Sequence, residues 1–167
     1  MILVGGGSRS GKSSAALRML RAAGPRMGFI ATAEPRDDEM RQRIRVHREE
    51  RGPDIITWEE PFDVASRIDG EDGRYDAIVV DCLTLWLTNV MLAENRDVQQ
   101  EYRRLIAAAA AARTQVILVT NEVGCGIVPD NALARRFRDE AGTLNRLVGE
   151  QASEVHWMIF GMGLRLK

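Results

Sequence analysis

Eight residues near the amino terminus, Gly6-Gly7-Ser8-Arg9-Ser10-Gly11-Lys12-Ser13, constrain this chain more than any other feature. They fit G-x-x-x-x-G-K-[ST], a phosphate-binding loop, and they lie where that mechanism requires. The apolar run Met1 to Val4 reads as a strand, and Ser13 to Ala23, with Ala, Leu and Met on its faces, reads as a helix. Glycines let backbone N–H groups converge on phosphate oxygens, the helix start adds its positive dipole end, and Ser13 offers a hydroxyl to magnesium. A glycine-rich structural turn is the competing reading. Lys12 argues against it: among 23 lysines and arginines, only Lys12 and Lys167 are lysine. A compact ammonium on a flexible stem reaches between phosphate oxygens where a planar guanidinium does not.

The remaining punctuation repeats the strand and helix alternation. Gly24 and Pro25 stop the first helix, Met27 to Ala31 return as a strand, and Pro35 opens a charged helix that runs to about Arg51, before Gly52 and Pro53. Ile55 to Trp58 reads as a short strand, Phe62 to Ile68 as a helix, and Ala77 to Val80 as a fully buried parallel strand ending at Asp81. Helices follow over Leu83 to Leu92 and Val98 to Arg113, then a strand over Gln115 to Thr120 and a loop over Glu122 to Pro129. A helix over Ala132 to Gln151, a strand over Val155 to Phe160 and a terminal edge strand over Leu164 to Lys167 complete the reading. Such alternation predicts an α/β, P-loop NTPase-like three-layer sandwich, with a mostly parallel central sheet and helices on both faces. At 167 residues, with no internal repeat or linker, the chain is expected to be one catalytic domain over residues 1–167.

A formal net charge of -1 provides no basic field for a nucleic-acid backbone, so nucleic acid is excluded as the main partner. No apolar stretch approaches a signal peptide or a membrane span. Cys82 and Cys125 form no paired-thiol or zinc pattern, which fits a reducing cytoplasm, and both read as small buried hydrophobes.

Three segments join the loop as candidate chemistry. Asp81 ends the most apolar strand, where it would face the phosphates and hold magnesium through water, or cap the helix that begins at Leu83. In the charged helix, Met40, Ile44, His47 and Arg51 step by four, three and four, which puts them along one side. His47 therefore points toward the core or a site, with arginines 43, 48 and 51 nearby; spacing alone leaves it structural or a nucleophile toward phosphorus. Thr120-Asn121-Glu122-Val123-Gly124 follows a buried strand, so its polar groups either position substrate or cap a loop. Arg135, Arg136 and Arg138 are phosphate contacts or solvent-facing charges, the latter being the simpler reading, and His156 reads as structural.

Taken together, GGGSRSGKS, IATAEPRDDEMRQRIRVHREERG, VVDCLTLWLTN and LVTNEVGCGIVP resemble the bifunctional adenosylcobinamide kinase and adenosylcobinamide-phosphate guanylyltransferase family over essentially the whole chain. The main motifs show no departure, although the short tract between Leu92 and Val98 trims a surface loop. The resemblance implies a cobalamin-assembly enzyme that phosphorylates adenosylcobinamide with ATP or GTP. It then transfers GMP from GTP to the resulting phosphate, giving adenosylcobinamide-GDP and pyrophosphate. It also implies that His47 carries the GMP, that Mg2+ assists through Ser13 and Asp81, and that the enzyme is a homotrimer. Nucleotide contacts carry over to Gly6 through Ser13, to Ala31, Thr32 and Ala33, to Arg48, Glu49, Glu50 and Arg51, to Glu59 and to Asp81. Two rivals stay open: a kinase of another small metabolite, in which His47 is structural, and a nucleotide-dependent switch ATPase.

Overall fold

A computed structural model describes residues 1–167, apart from the side chain of Arg43. The apolar runs of the sequence become strands of one seven-stranded sheet, in the order β3-β2-β4-β5-β1-β6-β7. These are β1 (Ile2–Gly6), β2 (Met27–Ala31), β3 (Ile55–Glu59), β4 (Ala77–Asp81), β5 (Gln115–Val119), β6 (Glu154–Ile159) and β7 (Met162–Arg165). The first six pair in parallel, and β7 alone runs antiparallel, against β6. The connecting helices are α1 (Lys12–Ala23), α2 (Asp38–Arg51), α3 (Val64–Glu71), α4 (Leu83–Leu92), α5 (Val98–Ala111) and α6 (Ala132–Gln151).

Because successive strand side chains alternate between faces, each inner strand feeds two cores. Ile78 and Val80 of β4, with Val116 and Leu118 of β5, pack among α3, α4, α5 and α6. Ala77 and Val79, with Ile117 and Val119, pack against Ala15, Ala16, Leu17 and Leu20 of α1. Helix α2 behaves differently. Of its residues described here only Arg51 is buried, so α2 flanks the sheet rather than filling a core.

The register sets the level of the site. Glu59 pairs with Ala31, Ala31 with Asp81, Asp81 with Val119, and Val119 with Val4, so β3, β2, β4 and β5 end on one row and β1 runs two residues past it into the phosphate-binding loop.

Most expected boundaries hold to within a residue; α3 runs on to Glu71, past the expected Ile68, and other ends move where side chains intercept the backbone. Helix α2 begins at Asp38 and not at Pro35, because the Asp37 carboxylate accepts the Met40 N–H at 2.7 Å. Helix α3 starts at Val64 and not at Phe62, whose N–H donates to the Glu60 carboxylate at 3.2 Å, as does that of Asp63 at 2.9 Å. Helix α5 stops at Ala111, short of Arg113, and Asp72 then accepts from the Thr114 N–H and the Arg113 guanidinium. The last turn closes early, with Phe160 at φ 51 and Gly161 at φ 80, so β7 begins at Met162 and not at Leu164. One burial expectation fails outright: Cys82 is buried, but Cys125 is exposed in the loop after β5.

Candidate active site

The loop after β1 is built around two positions that only glycine fits. Gly6 has φ 152, and a Cβ there would lie 2.5 Å from the Met158 carbonyl oxygen. Gly11 has φ 93 and sits at the entrance of α1 with no side-chain cap, so the first N–H groups of the helix face the loop. Lys12 is buried and donates to the Gly7 carbonyl at 2.7 Å across the loop. Burial lowers the Lys12 pKa from its ordinary value, and the charge of Asp81 opposes that shift. The Ser10 hydroxyl is buried without a hydrogen bond among the described residues. An anion in this loop would satisfy it.

Asp81 lines the cavity beneath the loop, near enough to the Ser13 hydroxyl for that group to favour its charged form. Burial pushes its carboxyl up, against Ser13 and the charges of His47, Lys12 and Arg51. A carboxylate beside a hydroxyl is a pair of hard oxygen donors. No cluster of three or more His, Cys, Asp or Glu side chains suited to a metal occurs among the described residues. The donor set therefore suits a small hard cation that takes most of its ligands from phosphates and water. The neighbouring Cys82 is a neutral thiol, pushed up to about 11 by burial and by Asp81.

Helix α2 forms the facing wall. Met40, Ile44, His47 and Arg51, the residues that step along one side of the helix, all line a cavity of about 730 Å³ that also reaches Lys12, Ser13 and Asp81. The His47 Nδ1 lies 3.3 Å from Glu50 Oε2, one turn on. A carboxylate on the Nδ1 side suits the tautomer in which Nε2 carries the lone pair. Arg51 is 6% exposed, and its guanidinium carbon sits 4.3 Å above the Phe29 ring. Burial lowers the Arg51 pKa, with Asp81 opposing, and its Nε makes no hydrogen bond among the described residues. An arginine stays charged in such a place, so it offers a desolvated positive charge to the cavity.

Most of the sequence candidates converge here. Ser8, Arg9, Ser10, Gly11, Lys12, Ser13, Ala31, Ala33, His47, Glu50, Arg51, Glu59 and Asp81 all line the cavity. Five do not. Gly6 ends β1, and Gly7 turns its carbonyl to Lys12. Thr32 is fully buried, its hydroxyl donating to the Cys82 carbonyl and accepting from the Cys82 N–H, each at 2.8 Å. Arg48 and Glu49 border a separate hollow with Arg45, Gly52 and Pro53, and Arg48 lies 3.8 Å from the exposed Glu59. Arg43, named with them from the sequence, has a side chain outside the described residues.

The loop after β5 contributes Asn121, Glu122 and Val123 to the cavity. Sequence reasoning missed Thr84, Leu85, Thr88 and Phe137, which complete this wall. The first three belong to an apolar helix whose pattern gives no sign of a ligand. Arg135 and Arg138 do not face the cavity and instead donate to backbone carbonyls, Arg138 to that of Gly124 at 2.8 Å. His156 pairs with Glu154 at 3.0 Å, away from the site, in keeping with a structural role.

A bifunctional adenosylcobalamin biosynthesis protein CobP from Pseudomonas aeruginosa is 39% identical over 166 residues, which cover 99% of this chain and 96% of its own. The bifunctional adenosylcobalamin biosynthesis protein CobU from Salmonella typhimurium is 40% identical over 181 residues, covering 100% and 99%. In shape the chain is similar to a solved ATPase domain, with a TM-score of 0.51 at 14% identity, over 93% of this chain and 68% of that one. That likeness is one of fold, and it agrees with the parallel sheet and the phosphate-binding loop described above. Residues 2–166 match the family described as cobinamide kinase / cobinamide phosphate guanyltransferase, and with these relatives the match shows that the chain belongs to that family.

Proposed function

We propose that this chain is a bifunctional enzyme of cobalamin biosynthesis, in which residues 1–167 act as one catalytic unit. It phosphorylates the aminopropanol hydroxyl of adenosylcobinamide with ATP or GTP. It then transfers GMP from GTP to that phosphate through a guanylyl group on His47, giving adenosylcobinamide-GDP and pyrophosphate. The observation that carries this reading is that His47 opens onto the same cavity as Lys12 and Ser13. A phosphate-binding loop alone suits a kinase; an imidazole across the cavity adds a nucleophile.

In the transfer, the neutral His47 imidazole attacks the α-phosphorus. A P–N bond forms, the bond to the pyrophosphate oxygen breaks, and Glu50 stabilises the proton that remains on Nδ1. A phosphate oxygen of adenosylcobinamide phosphate then attacks the same phosphorus, and the P–N bond breaks. Lys12 and the desolvated Arg51 are placed to stabilise charge spread over the phosphate oxygens. Ser13 and Asp81 are the residues that would hold Mg2+, which when bound neutralises phosphate charge.

The expected homotrimer is supported by apolar side chains exposed along the β6–β7 edge: Phe160, Met162, Leu164 and Leu166. Among the described residues no helix is long and apolar enough to cross a membrane, and the cytoplasm is the proposed location. The test is product analysis with adenosylcobinamide, GTP and Mg2+. Adenosylcobinamide-GDP and pyrophosphate are expected; a reaction that stops at the phosphate, or no reaction with cobinamide at all, contradicts the proposal.

A further inference from the structure

The kinase half-reaction needs a group to accept the proton of the attacking hydroxyl, and the cavity offers four described carboxylates: Glu50, Glu59, Asp81 and Glu122. Three are committed or distant. Glu50 lies 3.3 Å from the His47 ring, and Asp81 sits beside Ser13, the pair suited to hold Mg2+. Glu59 ends β3, an edge strand, with β2, β4 and β5 between it and β1. Glu122 remains, and its position is set from both sides.

It follows β5, the sheet neighbour of β1, and its backbone N–H donates to the Gly6 carbonyl at 3.1 Å. Glu122 is thereby tied to the start of the phosphate-binding loop. Its Oε1 accepts the Gly124 N–H, while Oε2 makes no hydrogen bond among the described residues. The same cavity is lined by the apolar side chains of Leu85, Val123 and Phe137.

We infer that Glu122 is the general base of the phosphorylation step and that these apolar side chains receive the alkyl alcohol end of the acceptor. The inference rests on the function proposed above. The hydroxyl oxygen forms a bond to the γ-phosphorus, the bond from that phosphorus to the β-phosphate oxygen breaks, and the hydroxyl proton passes to Glu122 Oε2. The guanylyl steps need no such base, because the imidazole attacks as the neutral form and the second nucleophile is already an anionic phosphate. One residue therefore separates the two half-reactions.

The experiment measures single-turnover phosphorylation of adenosylcobinamide and, separately, GMP loading from GTP, in wild type, Glu122→Gln and Glu122→Asp. Glutamine keeps an oxygen for the Gly124 N–H, so the loop brace survives the change. General-base removal lowers rates by on the order of 10² to 10⁴. Phosphorylation by Glu122→Gln is expected to fall by that factor and GMP loading by far less, with Glu122→Asp retaining part of the phosphorylation. Phosphorylation by Glu122→Gln within a few-fold of wild type overturns the inference. So does an equal loss of both half-reactions, which would make Glu122 a loop brace only. Failure of wild type to phosphorylate adenosylcobinamide would overturn the proposed function itself, a result distinct from either.

Discussion

Lys12 is the residue whose role the sequence states most directly, as one of two lysines in an arginine-rich chain, and its buried Nζ crosses the loop to Gly7. Replacing it with arginine puts a wider, planar head into a space sized for an ammonium. Lys12→Arg is expected to lower phosphorylation and GMP loading together by about 10² or more, since both reactions use the same phosphate cradle; single-turnover rates with ATP and GTP check this. His47 was legible in part. Its helical spacing pointed it to the cavity, but the nucleophilic role came from resemblance, because spacing does not distinguish a site from a core. Thr32 shows the opposite error: its neighbours Ala31 and Ala33 line the cavity, while its own hydroxyl is spent on Cys82. The three positions carry over together from the resemblance, whereas side chains alternate along an extended chain, which separates Thr32 from its neighbours.

At the scale of elements, the strands and most helices were legible because apolar runs and glycine or proline stops mark them. Several misplaced ends are those where an aspartate or glutamate captures backbone N–H groups, as Asp37, Glu60 and Asp72 do. Pro35 suggested a start for α2 that the Asp37 cap sets three residues later. That cap bears on function, because α2 carries His47 and has little burial of its own to hold it. Asp37→Ala removes about 1 kcal/mol from α2. Faster amide hydrogen exchange across residues 38–51 and slower GMP loading are expected, with exchange in β4 and β5 unchanged. Uniform acceleration across the sheet would show that α2 is not an independently frayed element.

At the scale of the whole molecule, the three-layer architecture and the placement of ligand-binding loops at the strand carboxyl ends followed from alternation alone. What did not follow was the part of the cavity assembled from α4, the β5 loop and α6, since tertiary packing and no local signal unites Leu85, Val123 and Phe137. The acid stability of the fold has a definite sign. Asp63, Asp72 and Asp76 are held below the usual carboxylate range, Asp63 and Asp76 chiefly by the Arg96 and Arg26 side chains and Asp72 chiefly by the Thr114 N–H. Depressed carboxyls stabilise the fold above the unfolded value near about 4 and lose that contribution as pH falls through their folded values. Asp81, shifted upward, has the opposite sign. Urea unfolding midpoints should therefore fall below about pH 4, and Arg96→Met should flatten that decline. The central claim is that one cavity serves both a phosphate-binding loop and a histidine nucleophile. Its most direct test is the intact-protein mass after incubation with GTP and Mg2+, in wild type and His47→Ala. One added GMP on wild type and none on His47→Ala is the predicted result. An unmodified wild type that binds GTP and is folded, or an equal adduct on His47→Ala, would contradict it.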